Sequence, residues 1–217
     1  MSTAGTLAFE RQQAGTLAAR LNEPRRFLQV VAGARQVGKT TLVGQVLSHL
    51  DIPSVFISAD EPTVGDTAWL AAQWERGRLT AADAGKVGAV LVLDEVQKIP
   101  RWSETVKRLW DEDTRARLPL RVDLLGSAPL LLQQGLTESL AGRFFLHRCA
   151  HWGYKECLEA FGWGLEQWIY FGGYPGAATF VKRVGAWKQY VNDSLIETVI
   201  ARDVLQLQTV NKPALLR

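Results

Sequence analysis

The hydrophobic pattern changes period several times along the chain. Leu7, Leu17, Ala18 and Leu21 recur at loose helical spacing until Asn22-Glu23-Pro24 stops them, which predicts a helix over residues 7–21. Phe27, Leu28, Val30 and Val31 then read as a strand. A helix is expected over 41–50, broken by Asp51-Ile52-Pro53, and a short buried strand over Ser54–Ser58. Ala59-Asp60-Glu61-Pro62 leads on to a helix capped by Asp66 and running through Trp69, Leu70 and Trp74. After the connector 84–88, Ala89-Val90-Leu91-Val92-Leu93 is an unbroken apolar run, suited to a parallel strand buried on both faces. Ser103, Val106, Leu109 and Trp110 mark an amphipathic helix to about Arg117. A fourth strand is expected over 120–125, a short helix over 129–134 and a fifth strand over 144–147. This alternation predicts an α/β fold with a parallel sheet and helices on both faces.

From Trp152 onward the pattern is helical only: Tyr154–Phe161, Leu165–Phe171, and a longer helix from Trp187 to about Gln206. The boundary falls near Ala150, so residues 1–150 read as one domain and 151–217 as a helical subdomain. Residues 212–217 read as the beginning of a further helix.

Composition narrows the class only a little. With 47% hydrophobic and 22% charged residues the chain matches an ordinary globular domain. Its net charge of +3, from 25 basic and 22 acidic residues, is too even to argue for nucleic acid. The apolar runs fall short of the ~18 residues of a membrane span, and Met1-Ser2-Thr3-Ala4-Gly5 lacks the basic and apolar regions of a signal peptide. Cys149 and Cys157 have no metal-ligand or C-x-x-C spacing and fit plain thiols in a reducing cytoplasm. His49, His147 and His151 form no ligand set and read as structural.

The chemistry centres on Gly33-Ala34-Arg35-Gln36-Val37-Gly38-Lys39-Thr40-Thr41, a G-x-x-x-x-G-K-[ST] match with a strand before it and a helix after it. Glycines at 33 and 38 let successive backbone N–H groups turn inward on phosphate oxygens, and the helix N-terminus adds partial positive charge. Lys39 would reach the β- and γ-phosphates, and Thr40 would ligate Mg²⁺. Arg35 reads as exposed. Asp94-Glu95, ending the apolar run, is placed as a second acidic motif: Asp94 to hold Mg²⁺ opposite Thr40, Glu95 to polarise an attacking water. A capping pair for the next helix is the lesser alternative, given the glycine-rich loop. Ser127, at the end of the fourth strand, is a candidate γ-phosphate sensor, against an ordinary Gly-Ser turn; Gln97 is a weaker alternative. Arg143 reads equally as a charge stabiliser, from the same or a neighbouring chain, or as a solvated salt-bridge arginine. Gly172-Gly173-Tyr174-Pro175 reads as an interhelical turn, and Arg202-Asp203 as a surface or interdomain pair.

These segments occur in a fixed order: Gly-Ala-Arg-Gln-Val-Gly-Lys-Thr-Thr-Leu at 33–42, Leu-Asp-Glu-Val-Gln-Lys-Ile-Pro at 93–100, Leu-Gly-Ser at 125–127, Glu-Ser-Leu-Ala-Gly-Arg at 138–143 and Gly-Gly-Tyr-Pro at 172–175. Together they resemble the prokaryotic AAA-like ATPases that carry a C-terminal domain of unknown function. The resemblance implies an additional-strand P-loop NTPase core with sheet order 5-1-4-3-2, ATP rather than GTP as ligand, Ser127 as sensor and Arg143 as arginine finger or sensor. It also implies a further C-terminal domain, so that this chain reads as shortened at that end. The expected activity is ATP hydrolysis with ATP and Mg²⁺ as cofactors, in the cytoplasm, with self-association or a protein partner and no membrane. Two alternatives stand beside it: a nucleotide-gated interaction module without turnover, with the tryptophan-rich tail as its interface, and a P-loop kinase acting on a small acceptor.

Overall fold

The computed structural model describes residues 9–60, 66–127 and 129–197. The sheet unit comprises residues 10–33 and 39–149. Its elements are α1 (Gln12–Asn22), β1 (Leu28–Gly33), α2 (Lys39–Ser48), β2 (Ser54–Ser58), α3 (Thr67–Asp83), β3 (Ala89–Asp94), α4 (Trp102–Ala116), β4 (Leu120–Gly126), α5 (Pro129–Ser139) and β5 (Phe144–Cys149). All pairings are parallel and the strand order is β2-β3-β4-β1-β5, the order expected. Every residue of β3 is buried, whereas β2, expected to be a buried strand, is an edge strand with no buried residue and alternates between exposed and half-buried positions up to Ile57, and β5, at the other edge, buries only His147 and Cys149. That difference is why the middle strands read as continuous apolar runs.

Period-two alternation sorts the strand side chains onto two faces. Leu28, Val30, Leu91, Leu93, Val122 and Leu124 join Trp74 of α3, Val106 and Trp110 of α4, and Leu132 and Leu136 of α5 in one core. Val31, Val92 and Leu125 face the other way, the side of α1 and α2, where Leu17, Leu21, Val43 and Val46 are buried. Helices α3 and α4 are joined by a buried polar clamp: Asp113, fully buried, accepts from Trp74 Nε1 at 2.8 Å and from Arg78 Nε at 2.7 Å. Asp66 caps α3 as expected, accepting from the N–H groups of Ala68 and Trp69.

Some boundaries differ from expectation for local reasons. Helix α5 continues to Ser139 instead of stopping near Gln134, because Leu132, Leu136 and Leu140 form one buried i, i+4 stripe through Gly135. Gly135 is a close approach rather than a stop: a Cβ there would lie 2.5 Å from Trp102 Cζ2. Helix α2 begins at Lys39, directly at the end of the glycine-rich segment. Helix α1 starts at Gln12; Leu7, and likewise Glu61-Pro62, Arg202-Asp203 and 212–217, lie outside the described residues.

The second unit contains, among the described residues, Phe9, 34–38 and 150–197. It holds α6 (Tyr154–Phe161), α7 (Leu165–Phe171), a 3₁₀ segment (Pro175–Phe180) and α8 (Val184–Tyr190), which runs into a π-helical turn (Val191–Ile196). The last helix thus begins ahead of Trp187. Trp152, Cys157 and Trp163 are buried together, with Phe9, Phe161, Trp168 and Phe171 packed around them. Trp152 stacks on Phe161 at 5.4 Å between ring centroids, and Trp163 and Trp187 meet Phe171 at 6.0 and 5.2 Å. These rings form an internal core, not a surface. Both cysteines are buried thiols outside any disulfide, and no helix among the described residues is long and apolar enough to cross a membrane.

Asp123 is the anomaly of the sheet. It lies fully buried in β4 beside Gln29 of β1 and Val92 of β3, with no hydrogen-bond partner for either carboxylate oxygen among the described residues. Burial, with the Asp94 charge adding to it, pushes its carboxyl up to about 7. A folded-state pKa raised above the unfolded value means that the folded protein holds the proton more tightly. The stability present below pH ~4 is therefore lost as pH rises to 7 and levels off above it. Asp123→Asn, neutral throughout, should be stabilised relative to wild type by an amount that grows over that window to at most about 4 kcal/mol. Urea denaturation of both proteins at half-unit pH steps checks this, and two parallel stability profiles would refute it.

Candidate nucleotide site

The parallel sheet delivers the carboxyl ends of β1, β3 and β4 to one edge, where ligands of open α/β sheets bind. Strand β1 ends at Gly33, where a Cβ would stand 2.0 Å from the Cys149 carbonyl oxygen of β5, so no larger residue fits. In the segment that follows, Gln36 and Gly38 have left-handed backbone, φ 59° and 89°. Left-handed residues interleaved with right-handed ones curl a chain so that its N–H groups converge, forming an anion-binding nest. Glycine takes that conformation freely; Gln36 does not. Arg35, expected to be exposed, is partly buried.

Lys39, the first residue of α2, is buried, and its ammonium donates to the Gly33 carbonyl at 3.1 Å. Thr40 Oγ1 donates to Asp94 Oδ2 at 3.0 Å, joining the start of α2 to the end of β3. Burial holds the Asp94 carboxyl above its ordinary range; Glu95 raises it further, and the hydrogen bond from Thr40 and the Lys39 charge pull against the rise. Thr41 is exposed on α2.

Glu95 is buried and left-handed, φ 55° and ψ 33°, a costly backbone for a non-glycine residue. The turn it makes enters a 3₁₀ segment (Val96–Lys98) and sets its carboxylate against β4. There Glu95 Oε2 accepts from Ser127 Oγ at 2.8 Å and from Gln97 Nε2 at 2.5 Å. Ser127 and Gln97 thus both touch the acid, where the sequence had favoured Ser127 alone.

Arg143 is not brought to this cluster. Its carbonyl accepts from the Leu28 N–H, at the amino ends of β1 and β5, and its guanidinium pairs with Asp111 of α4 at 3.0 and 3.2 Å. The Arg143 hydrogen bond lowers the Asp111 pKa. In a parallel sheet the helix between two strands must carry the chain back to the starting edge. Arg143, coming after α5, is therefore a strand length, roughly 20 Å, from the glycine-rich loop. His147, as expected, is structural: buried in β5, its Nε2 lies 2.8 Å from Gln29 Oε1.

Two features escaped the sequence reading. An aspartate inside an apolar strand was the available signal for Asp123. The contacts of Gln36 with Tyr190 and Ser194, which link positions far apart in the chain, had none.

Among curated proteins no sequence matches this chain. Of solved structures, the Walker-type ATPase paby2304 of Pyrococcus abyssi superposes with a TM-score of 0.62 at 16% identity, covering 92% of this chain and 75% of that one. AMPPCP-bound DnaA from Aquifex aeolicus does so with a TM-score of 0.51 at 16% identity, covering 98% and 78%. Both likenesses concern the fold, a five-stranded P-loop NTPase sheet with flanking helices. The family model described as an AAA domain matches residues 25–158, more than half of the chain, and the protein belongs to that AAA domain family.

Proposed function

We propose that this protein binds ATP with Mg²⁺ and hydrolyses it. The observation that carries the reading is the Thr40–Asp94 hydrogen bond: it sets a hydroxyl and a carboxylate, one from each motif, side by side at the carboxyl end of the sheet. A hydroxyl paired with a carboxylate is a hard-oxygen set that suits Mg²⁺, which takes few protein ligands and fills its sphere with phosphate oxygens and water. Thr40 and Asp94 would hold the ion, which would supply charge neutralisation to the nucleotide's phosphates. AMPPCP, an ATP analogue, is the ligand of the DnaA neighbour, and AAA membership supports the same nucleotide here.

The remaining steps belong to the chain. The nest at 34–38 binds phosphate oxygens through backbone N–H groups, and the Lys39 ammonium transfers from the Gly33 carbonyl to a phosphate oxygen. Glu95, its carboxylate steered by Ser127 and Gln97, accepts a proton from the water that attacks the γ-phosphorus. The bond to the β-phosphate bridging oxygen breaks, and ADP leaves with that electron pair. Ser127 couples the acid to the end of β4 and so acts as the sensor. Arg143 stands at the far edge of its own sheet, so its charge serves the site of a second copy, after release from Asp111.

Phosphate release from ATP with Mg²⁺ tests the reading. Lys39→Ala should lose ATP binding, whereas Glu95→Gln should keep it and turn over about 10²-fold or more slower. Wild type that binds AMPPCP yet releases no phosphate at any protein concentration would leave a nucleotide-binding module in place of an enzyme.

A second expectation concerns Arg143. Arg143→Ala should keep nucleotide affinity and lose about 10³-fold in turnover, and the wild-type rate per chain should rise with protein concentration. Asp111→Asn, which frees the guanidinium, should not share that loss. Equal losses in Arg143→Ala and Asp111→Asn would show that the ion pair is structural only.

A further inference from the structure

The phosphate segment is held from an unexpected quarter. Residues 34–38 cluster with the helical unit, not with the sheet that precedes and follows them. Hydrogen bonds among the described residues make the connection. The Tyr190 hydroxyl donates to Gln36 Oε1 at 2.5 Å, Gln36 Nε2 donates to the Ser194 carbonyl at 3.5 Å, and Trp152 Nε1 donates to the Val37 carbonyl at 3.0 Å.

Each anchor is itself fixed. Tyr190 ends α8, its ring lies 5.1 Å from that of Phe180, and a Cβ on Gly176 would stand 2.6 Å from its hydroxyl. Burial raises the Tyr190 pKa, so the hydroxyl stays protonated as a donor at neutral pH. Trp152 is seated in the aromatic core beside Phe161 and Phe9. The residue they hold is the one that resists its conformation. Gln36 is left-handed without being glycine, and left-handed backbone at such a residue is unfavourable.

From this we infer that Tyr190 and Gln36 form a latch: the helical unit holds the phosphate segment in its nest shape before nucleotide arrives, and thereby sets nucleotide affinity. Tyr190 is a positioning residue, acting on phosphate through Gln36 and the loop backbone. The inference rests on the phosphate-binding reading for its consequence, while the latch itself is observable without nucleotide.

The test separates the two. In nucleotide-free protein, hydrogen–deuterium exchange of the 34–38 amides reports loop order. Calorimetric titration with Mg²⁺ and AMPPCP reports affinity. Tyr190→Phe removes only the hydroxyl and should speed exchange and weaken AMPPCP about fivefold, the worth of one neutral hydrogen bond. KM for ATP should rise by a similar factor, with kcat at saturation unchanged. Gln36→Ala, which loses the latch and keeps the left-handed penalty, should weaken binding at least as much. Gln36→Gly loses the latch together with the penalty and should recover the affinity that Gln36→Ala forfeits. Adding Tyr190→Phe to Gln36→Gly should change nothing further.

The latch is overturned if Tyr190→Phe exchanges and binds as wild type does, if Gln36→Gly is as weak as Gln36→Ala, or if Tyr190→Phe costs as much in the glycine background. Wild type that binds no AMPPCP would remove the nucleotide reading. Exchange alone would then decide the latch, with faster exchange in Tyr190→Phe supporting it and unchanged exchange ending it.

Discussion

Three apolar strands side by side, each buried on both faces, impose the constraint from which the site follows. Backbone groups in β1, β3 and β4 are satisfied by their neighbours, and helices cover their side chains on both faces. Polar chemistry is inexpensive only where a strand ends. Because the strands are parallel, their ends fall along one edge. Gly33, Asp94 and Ser127 are brought together by the sheet, not by sequence proximity, and Thr40 meets Asp94 because α2 starts where β1 has just finished. The same constraint sends Arg143 away: every crossover helix undoes the advance of the strand before it.

Much of this was legible. Five parallel strands and the pairing of the glycine-rich loop with the Asp94-Glu95 motif follow from continuous apolar runs and from residue types with few alternative uses, whereas the strand order was implied only by the resemblance to AAA-like ATPases. Ser54–Ser58, Tyr154–Phe161 and Leu165–Phe171 match the structure residue for residue, because Pro or Gly borders each. The misses share a cause, which is that they depend on a partner distant in sequence. The helix expected over 129–134 fell short because nothing in the sequence says that Trp102 presses against Gly135. The tryptophans after 150 could have covered a surface or filled a core, and only their mutual contacts decide. Arg143 lies close to Ser127 along the chain and far from it across the sheet.

Among the described residues, local rules are broken at left-handed Gln36 and Glu95, at left-handed Arg101 and Arg117 on the two ends of α4, and at Asp123, buried with neither carboxylate oxygen hydrogen-bonded. Departures of this kind persist when surrounding structure over-determines them, and they gather where a protein acts. Glu95 is held by Ser127 and Gln97, Gln36 by Tyr190 and Ser194. Asp123 has no hydrogen bond to either oxygen among the described residues, and burial with the nearby Asp94 charge pushes its carboxyl up to about 7, in the strand next to the one that ends at Asp94. The carboxylates of this sheet are thus tied to one another electrostatically through its middle.

That residues 34–38 belong with helices more than a hundred positions downstream bears on the order in which the molecule is made. Local contacts form early, and loops that join distant positions close late. On a ribosome β1 to β4 are synthesised before Trp152 and Tyr190 exist to grip the loop. The glycine-rich loop, made early, therefore waits on contacts with residues made late.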